Sequence, residues 1–169
     1  IVPQQQMPMV LARVKQELKR GQQAYFIYPL VRESPELELT AAQEAYEELQ
    51  RSELAAWGVG LIHGQLPAAE KETVMRAFGE GRLGVLAASS VVEVGLDVPK
   101  ASVMVVLHAE RFGLAQLHQL RGRIGRSAQN ALCLLVSSPS NPLAQRRLEI
   151  LESTQDGFRI AEEDLRIRG

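Results

Sequence analysis

Three arginines crowd into six residues of this chain: Arg121, Arg123 and Arg126, separated by Gly122, Ile124 and Gly125. No acidic residue lies among them. A planar guanidinium donates paired hydrogen bonds to phosphate oxygens, and flanking glycines let a backbone approach an anion closely. Just upstream, Leu114, Leu117 and Leu120 recur at helical spacing. The cluster therefore stands at the end of an apolar helix, where arginine also complements the helix dipole. Two readings follow. The arginines are a solvated helix end, or they await an anion supplied from elsewhere. Gln119, one helical turn before Arg123, adds an amide donor to the second reading.

Other polar residues fall between apolar runs. Ser89 and Ser90 follow one such run, and their hydroxyls suit either a helix cap or a phosphate. Asp97 precedes Val98 and Pro99, where a carboxylate shapes a turn or accepts hydroxyl hydrogens. His63 before Gly64 reads as a packing or hydrogen-bonding residue rather than a catalyst, and His118 carries no assignment. What is missing narrows the chemistry further. There is no glycine-rich GK[ST] loop to cradle phosphates, no paired acids to hold magnesium, and no His/Cys cluster at metal-ligand spacing. By itself this sequence is not a complete nucleotide hydrolase.

The chain has 169 residues, enough for one domain with a full core, and its 46% hydrophobic content excludes disorder. Lys+Arg number 19 and Asp+Glu 20, a net charge of -1, so any binding of nucleic acid must rest on a local patch. The one cysteine, Cys133, lies inside "ALCLLV", which predicts a buried thiol in a reducing, cytoplasmic compartment and excludes an internal disulfide. No stretch is long enough to span a bilayer and no signal peptide is visible. The chain starts at Ile1 rather than Met, and "IVPQQQMPMV" reads as a linker, with residues 1–8 leading in from something upstream.

The elements that must position these residues alternate in type. Val10, Leu11, Val14 and Leu18 form a helical stripe between Pro8 and Gly21. "AYFIYPLV" is a buried strand and "RESPELEL" a loop. Thr40 with Gln43 resembles a capping box for a helix over 41–51. "WGVGLIHG" is a second strand, and Pro67 opens a helix that stops at Gly79. "LGVLAASS", "ASVMVVLH" and "ALCLLVSS" are three further strands, the last two separated by the leucine helix. Asn141 and Pro142 open a helix running through Glu152. Strands alternating with helices predict a parallel sheet covered on both faces, with ligands gathered beyond the carboxyl ends of its strands. Trp57 and Tyr25, among apolar neighbours, read as core.

"QLRGRIGR" resembles motif VI of the superfamily 2 helicases, "AASSVVEVGLDVPKAS" resembles their motif V, and "GLIHGQLPAAEKETVMRAF" is similar to the motif IV region. The order and spacing match the second RecA-like domain of that superfamily, from about Gly21 onward. "RFGLAQLHQLRGRIGRS" resembles the subset formed by the RecG family and the transcription-repair coupling factors. "YPLVRESPELELTAAQEAYEELQ" and "TQDGFRIAEEDLRIRG" favour RecG, the latter resembling the beginning of a translocation motif.

The resemblance implies a RecA-like α/β fold, related to P-loop nucleotidases but without its own P-loop. Residues 9–153 form the second helicase domain, and 154–169 start a helical element. It implies that Arg123 and Arg126 reach the ATP γ-phosphate on another motor domain, with Gln119 beside them. Gly95 and Asp97 lie near the nucleotide, with Glu93 a further motif V position. Gly64, Lys71, Ser89 and Ser90 face DNA phosphates; serines at 89 and 90 stand where the family often has threonines. The implied cofactors are ATP and Mg2+, bound mainly by the other motor domain. The implied partners are branched or duplex DNA and the upstream RecA-like and wedge domains, in a monomer. The competing expectations are a coupling factor and a nucleic-acid-binding module without motor activity.

Overall fold

The structure is a computed structural model that describes residues 1–29, 35–89, 101–122, 131–138, 142–154 and 156–168. Strands and helices alternate as β1 (Val2–Pro3), α1 (Met7–Lys19), β2 (Gln23–Ile27), α2 (Pro35–Arg51), β3 (Val59–Ile62), α3 (Ala68–Gly79), β4 (Val85–Ala88), β5 (Ala101–Val106), α4 (Leu114–Arg121), β6 (Leu132–Ser137), α5 (Pro142–Ser153) and α6 (Gly157–Arg168). The strands form one parallel sheet in the order β1-β6-β5-β2-β4-β3.

The central strands β2, β4 and β5 are buried along their whole length. Continuous apolar runs of this kind belong to a sheet covered on both faces. Alternation along β2 divides the core. Tyr25 and Ile27 pack with Met75 and Phe78 of α3, the leucines of α4, Leu148 and Leu151 of α5, and Ile160 of α6. Ala24 and Phe26 face the other way, onto Val10, Val14 and Leu18 of α1 and Ala42 and Leu49 of α2. Buried polar groups pin the layers. Gln23 Nε2 donates to the Phe78 and Leu83 carbonyls at 2.7 and 2.8 Å, tying the end of α3 to β2. Glu17, nearly inaccessible, forms an ion pair with Arg13 and accepts from Arg20 and from the Ser102 hydroxyl of β5.

Several local expectations are corrected. A short strand was not expected within residues 1–8: Val2 and Pro3 pair with Val136 and Ser137 of β6, and Val2 is buried. Two residues of strand are too short to leave a periodic signal. The helix expected over 41–51 begins at Pro35, because proline is well suited to a first turn. Thr40 thus lies inside the helix and its hydroxyl donates to the Glu36 carbonyl at 3.0 Å instead of capping. The strand expected from Trp57 is preceded by a 3-10 turn over Glu53–Trp57, capped by Ser52, and starts only after Gly58, whose φ of 82° breaks the run. The Asn141 cap lies outside the described residues. The final helix is α6: Asp156 Oδ1 accepts from the Phe158 amide at 3.0 Å, and Ile160 fills the core beside α4 and α5.

Candidate functional site

β3 and β4 are parallel neighbours with Ile62 opposite Ala88, so His63–Gly64 and Ser89 leave the sheet together at its carboxyl edge. Tyr28 fastens that edge. Its amide donates to the Ala88 carbonyl at 3.0 Å and its hydroxyl to the Ile62 carbonyl at 2.8 Å. His63 builds the turn that follows: its Nδ1 accepts from the Gln65 amide at 3.2 Å and its carbonyl from the Leu66 amide. Nδ1 as acceptor places the ring proton on Nε2. Gly64 is exposed in this turn, and Lys71, half-buried, sits in the first turn of α3. Ser89 is different. It is only 1% exposed, and its hydroxyl has no hydrogen-bond partner. It is therefore covered in this arrangement. Ser90, Glu93, Gly95 and Asp97 lie outside the described residues.

α4 begins where Gln116 Oε1 accepts from the Gly113 amide at 3.0 Å. Leu114, Leu117 and Leu120 are buried, which fixes the helix against the sheet and leaves Gln119 exposed on the opposite side. Arg123 and Arg126 lie outside the described residues. Arg121 is partly buried. Its guanidinium donates to the Leu151 carbonyl in the last turn of α5 and lies 3.2 Å from His118 Nδ1. Partial burial lowers its pKa from the ordinary value, and the nearby Cys133 thiol opposes that shift. Arginine remains a cation at physiological pH nonetheless. Burial in turn pushes Cys133 up to about 11, with Arg121 pulling the other way. Cys133 is the second residue of β6, at the end where that strand enters the sheet. Arg121 is thus remote from the carboxyl edge where Gly64 emerges, and the expectation that all these polar segments share one edge fails for it.

Sequence reasoning gave His118 no role. The available signal was its spacing: His and Arg three residues apart share one face of a helix whose other face is leucine. Elsewhere, an apolar groove of about 380 Å³ runs along β3, lined by Tyr46, Leu61, His63, Leu66, Val74 and Leu83. Its lining includes His63 and Leu66 of the turn after β3, and Leu83, whose carbonyl accepts from Gln23. Among the described residues no group of three His, Cys, Asp or Glu side chains is placed to hold a metal, and no helix is long and apolar enough to cross a membrane.

Residues 9–128, from α1 through the arginine cluster, match the helicase conserved C-terminal domain. The chain belongs to that helicase family. Relatives of this helicase domain extend the match beyond residue 128. The ATP-dependent DNA helicase RecG of Thermotoga maritima is 47% identical over 169 residues, 100% of this chain and 22% of that protein. RecG of Escherichia coli K12 is 49% identical over 153 residues, 90% of this chain and 22% of that protein. A solved structure of RecG bound to a three-way DNA junction superposes with a TM-score of 0.81 at 46% identity, over 97% of this chain and 21% of that one. The C-terminal domain of the DEAD-box protein Dbp5 shares the fold at a TM-score of 0.54 and 19% identity, covering 85% of this chain and 77% of its own. The helicase domain described here spans about a fifth of the length of the curated RecG relatives, 22% of the Thermotoga protein.

Proposed function

We propose that this chain is the second motor domain of a RecG-type, ATP-dependent DNA translocase that remodels branched DNA such as stalled forks and Holliday junctions. The observation that carries the reading is the 46% identity and 0.81 TM-score, over nearly the whole chain, to a RecG structure bound to a three-way DNA junction. RecG relatives at this level of identity favour the RecG reading over the coupling factor. The arginine cluster favours a motor over a simple binding module, since a passive binder needs no γ-phosphate sensors.

In this reading the first motor domain holds most of the ATP and the Mg2+. Arg123 and Arg126 enter the cleft between the motor domains and stabilise charge on the transferred phosphoryl group, with Gln119 beside them. An arginine finger is worth about 10³ to 10⁵ in rate, or roughly 4 to 7 kcal/mol of barrier. Hydrolysis then depends on cleft closure, and closure moves one domain relative to the other. Glu93, Gly95 and Asp97 complete the nucleotide side. Gly64, Lys71, Ser89 and Ser90 form the DNA side, and of these Gly64 is the one both described and exposed. The buried Ser89 hydroxyl needs a local rearrangement to reach a phosphate. The protein acts as a cytoplasmic monomer.

The test is ATP hydrolysis by the full-length protein that carries this segment, with and without a three-way DNA junction. Junction-stimulated turnover is expected, and the isolated 169-residue segment should hydrolyse nothing. Turnover by the segment alone at the full-length rate overturns the two-domain reading.

A further inference from the structure

We propose that Arg121 is a positioning residue for the arginine loop that follows it, with His118 as its fixed partner and the last turn of α5 as its anchor. The proposal rests on the reading of Arg123 and Arg126 as fingers.

The geometry begins with donors and acceptors. A guanidinium carries only donors, so the His118 Nδ1 that meets Arg121 Nη2 at 3.2 Å must accept. That fixes a neutral imidazole with its proton on Nε2. An imidazolium would set one donor against another. On the far side of the ring, Nε2 faces the first residue of α6: a Cβ at Gly157 would come within 3.3 Å of it. The other end of the guanidinium donates to the Leu151 carbonyl. This is one of the last four carbonyls of α5 and has no partner within its own helix. A neighbouring one, that of Ile150, accepts from the Ser153 hydroxyl at 2.9 Å. Arg121 therefore ties the last turn of α4 to the last turn of α5, and its partner His118 lies beside the first residue of α6.

Arg121 is also the last residue of α4. Gly122 closes the helix through its amide, which donates to the His118 carbonyl at 3.1 Å. Arg123 follows at once. The chain is thus anchored two residues before Arg123, by contacts to α5 and to His118 rather than to nucleotide. Catalytic positioning is sensitive at this level, since a displacement of about 1 Å costs on the order of 10²-fold in rate.

The test uses the full-length protein and reads kcat and KM for ATP under DNA stimulation, well below the melting temperature of every variant. Arg121→Ala should lower kcat at least about tenfold with KM for ATP within twofold, because ground-state nucleotide contacts are untouched. Arg121→Lys should restore only part of it, since one ammonium replaces a planar fork. His118→Asn keeps an acceptor at the Nδ1 position and should stay near wild type, whereas His118→Ala should fall with Arg121→Ala. The double variant should be no worse than Arg121→Ala alone, as expected of residues acting as one unit. A helix-packing role would lower the melting temperature but leave kcat intact. Wild-type kcat in Arg121→Ala while Arg126→Ala is inactive overturns the positioning role, as does a tenfold rise in KM at unchanged kcat. Wild-type kcat in Arg126→Ala removes the finger reading itself, and the positioning proposal with it.

Discussion

The guanidinium of Arg121 donates to the carbonyl oxygen of Leu151, thirty residues further along the chain. That bond divides the arginine cluster. Its first member is engaged inside the domain, and the proposed reading gives the external anion to Arg123 and Arg126.

Arg126→Ala in the full-length protein should therefore lower DNA-stimulated kcat by about 10³-fold or more while leaving the fold and junction binding intact. Arg123→Ala should behave alike. Arg126→Lys should recover little, because an ammonium lacks the bidentate fork. Steady-state ATPase measurements with thermal melting as the folding control decide the matter, and a variant that simply unfolds sinks the assignment.

Gln23→Leu should be among the more damaging core substitutions. The buried amide satisfies two carbonyls, those of Phe78 and Leu83. Leucine keeps much of the volume but strands both acceptors, at roughly 1 to 3 kcal/mol each. Urea denaturation should show a lower midpoint at unchanged slope. A loss below about 0.5 kcal/mol would mean that water replaces the amide.

Cys133 should weaken the fold in alkali. Its thiol ionises near 11 in the folded domain against an ordinary value of 9.0. Below pH 9 it is neutral folded or unfolded, and the buried neutral form is fully favourable. As pH rises through 9 towards 11 the unfolded thiol ionises first, and stability of about 2 kcal/mol drains away. Melting temperatures of wild type and Cys133→Ala between pH 8 and 11 should converge or cross as pH rises. Parallel curves would show that the thiol contributes nothing.

Lys71→Ala should make junction binding by the full-length protein less salt-dependent. One lost phosphate contact on duplex DNA reduces the slope of log affinity against log salt by about 0.9. An unchanged slope would assign Lys71 to the solvated surface of α3.

The parallel sheet and its helices were legible because each central strand is a continuous apolar run and each helix carries a stripe. The family was legible from three short motifs in order. What escaped was set by contacts distant in sequence. The pairing of Val2 with Val136 depends on a strand more than a hundred residues away. The helix start at Pro35 was hidden because "RESPELEL" carries more loop-forming than helical cues. The burial of Ser89 is set by its tertiary surroundings, which residue type does not encode. Arg121 shows the sharpest limit: the sequence offers it only as one member of an arginine cluster, and only the folded chain reveals the Leu151 carbonyl and His118 as its partners.

The strand order has a mechanical consequence. The first and last strands in chain order, β1 and β6, are neighbours at one margin of the sheet, while β3, which leads into Gly64 and Lys71, forms the other. With strands about 4.8 Å apart, the five intervals between those margins make an arm of roughly 24 Å. Rotation of the sheet by about 8° around the β1 margin sweeps β3 through roughly 3.4 Å, the axial rise of one base pair along duplex DNA. In the proposed motor reading, a hinge of that size at the β1 margin would suffice to move the Gly64 edge by one base pair.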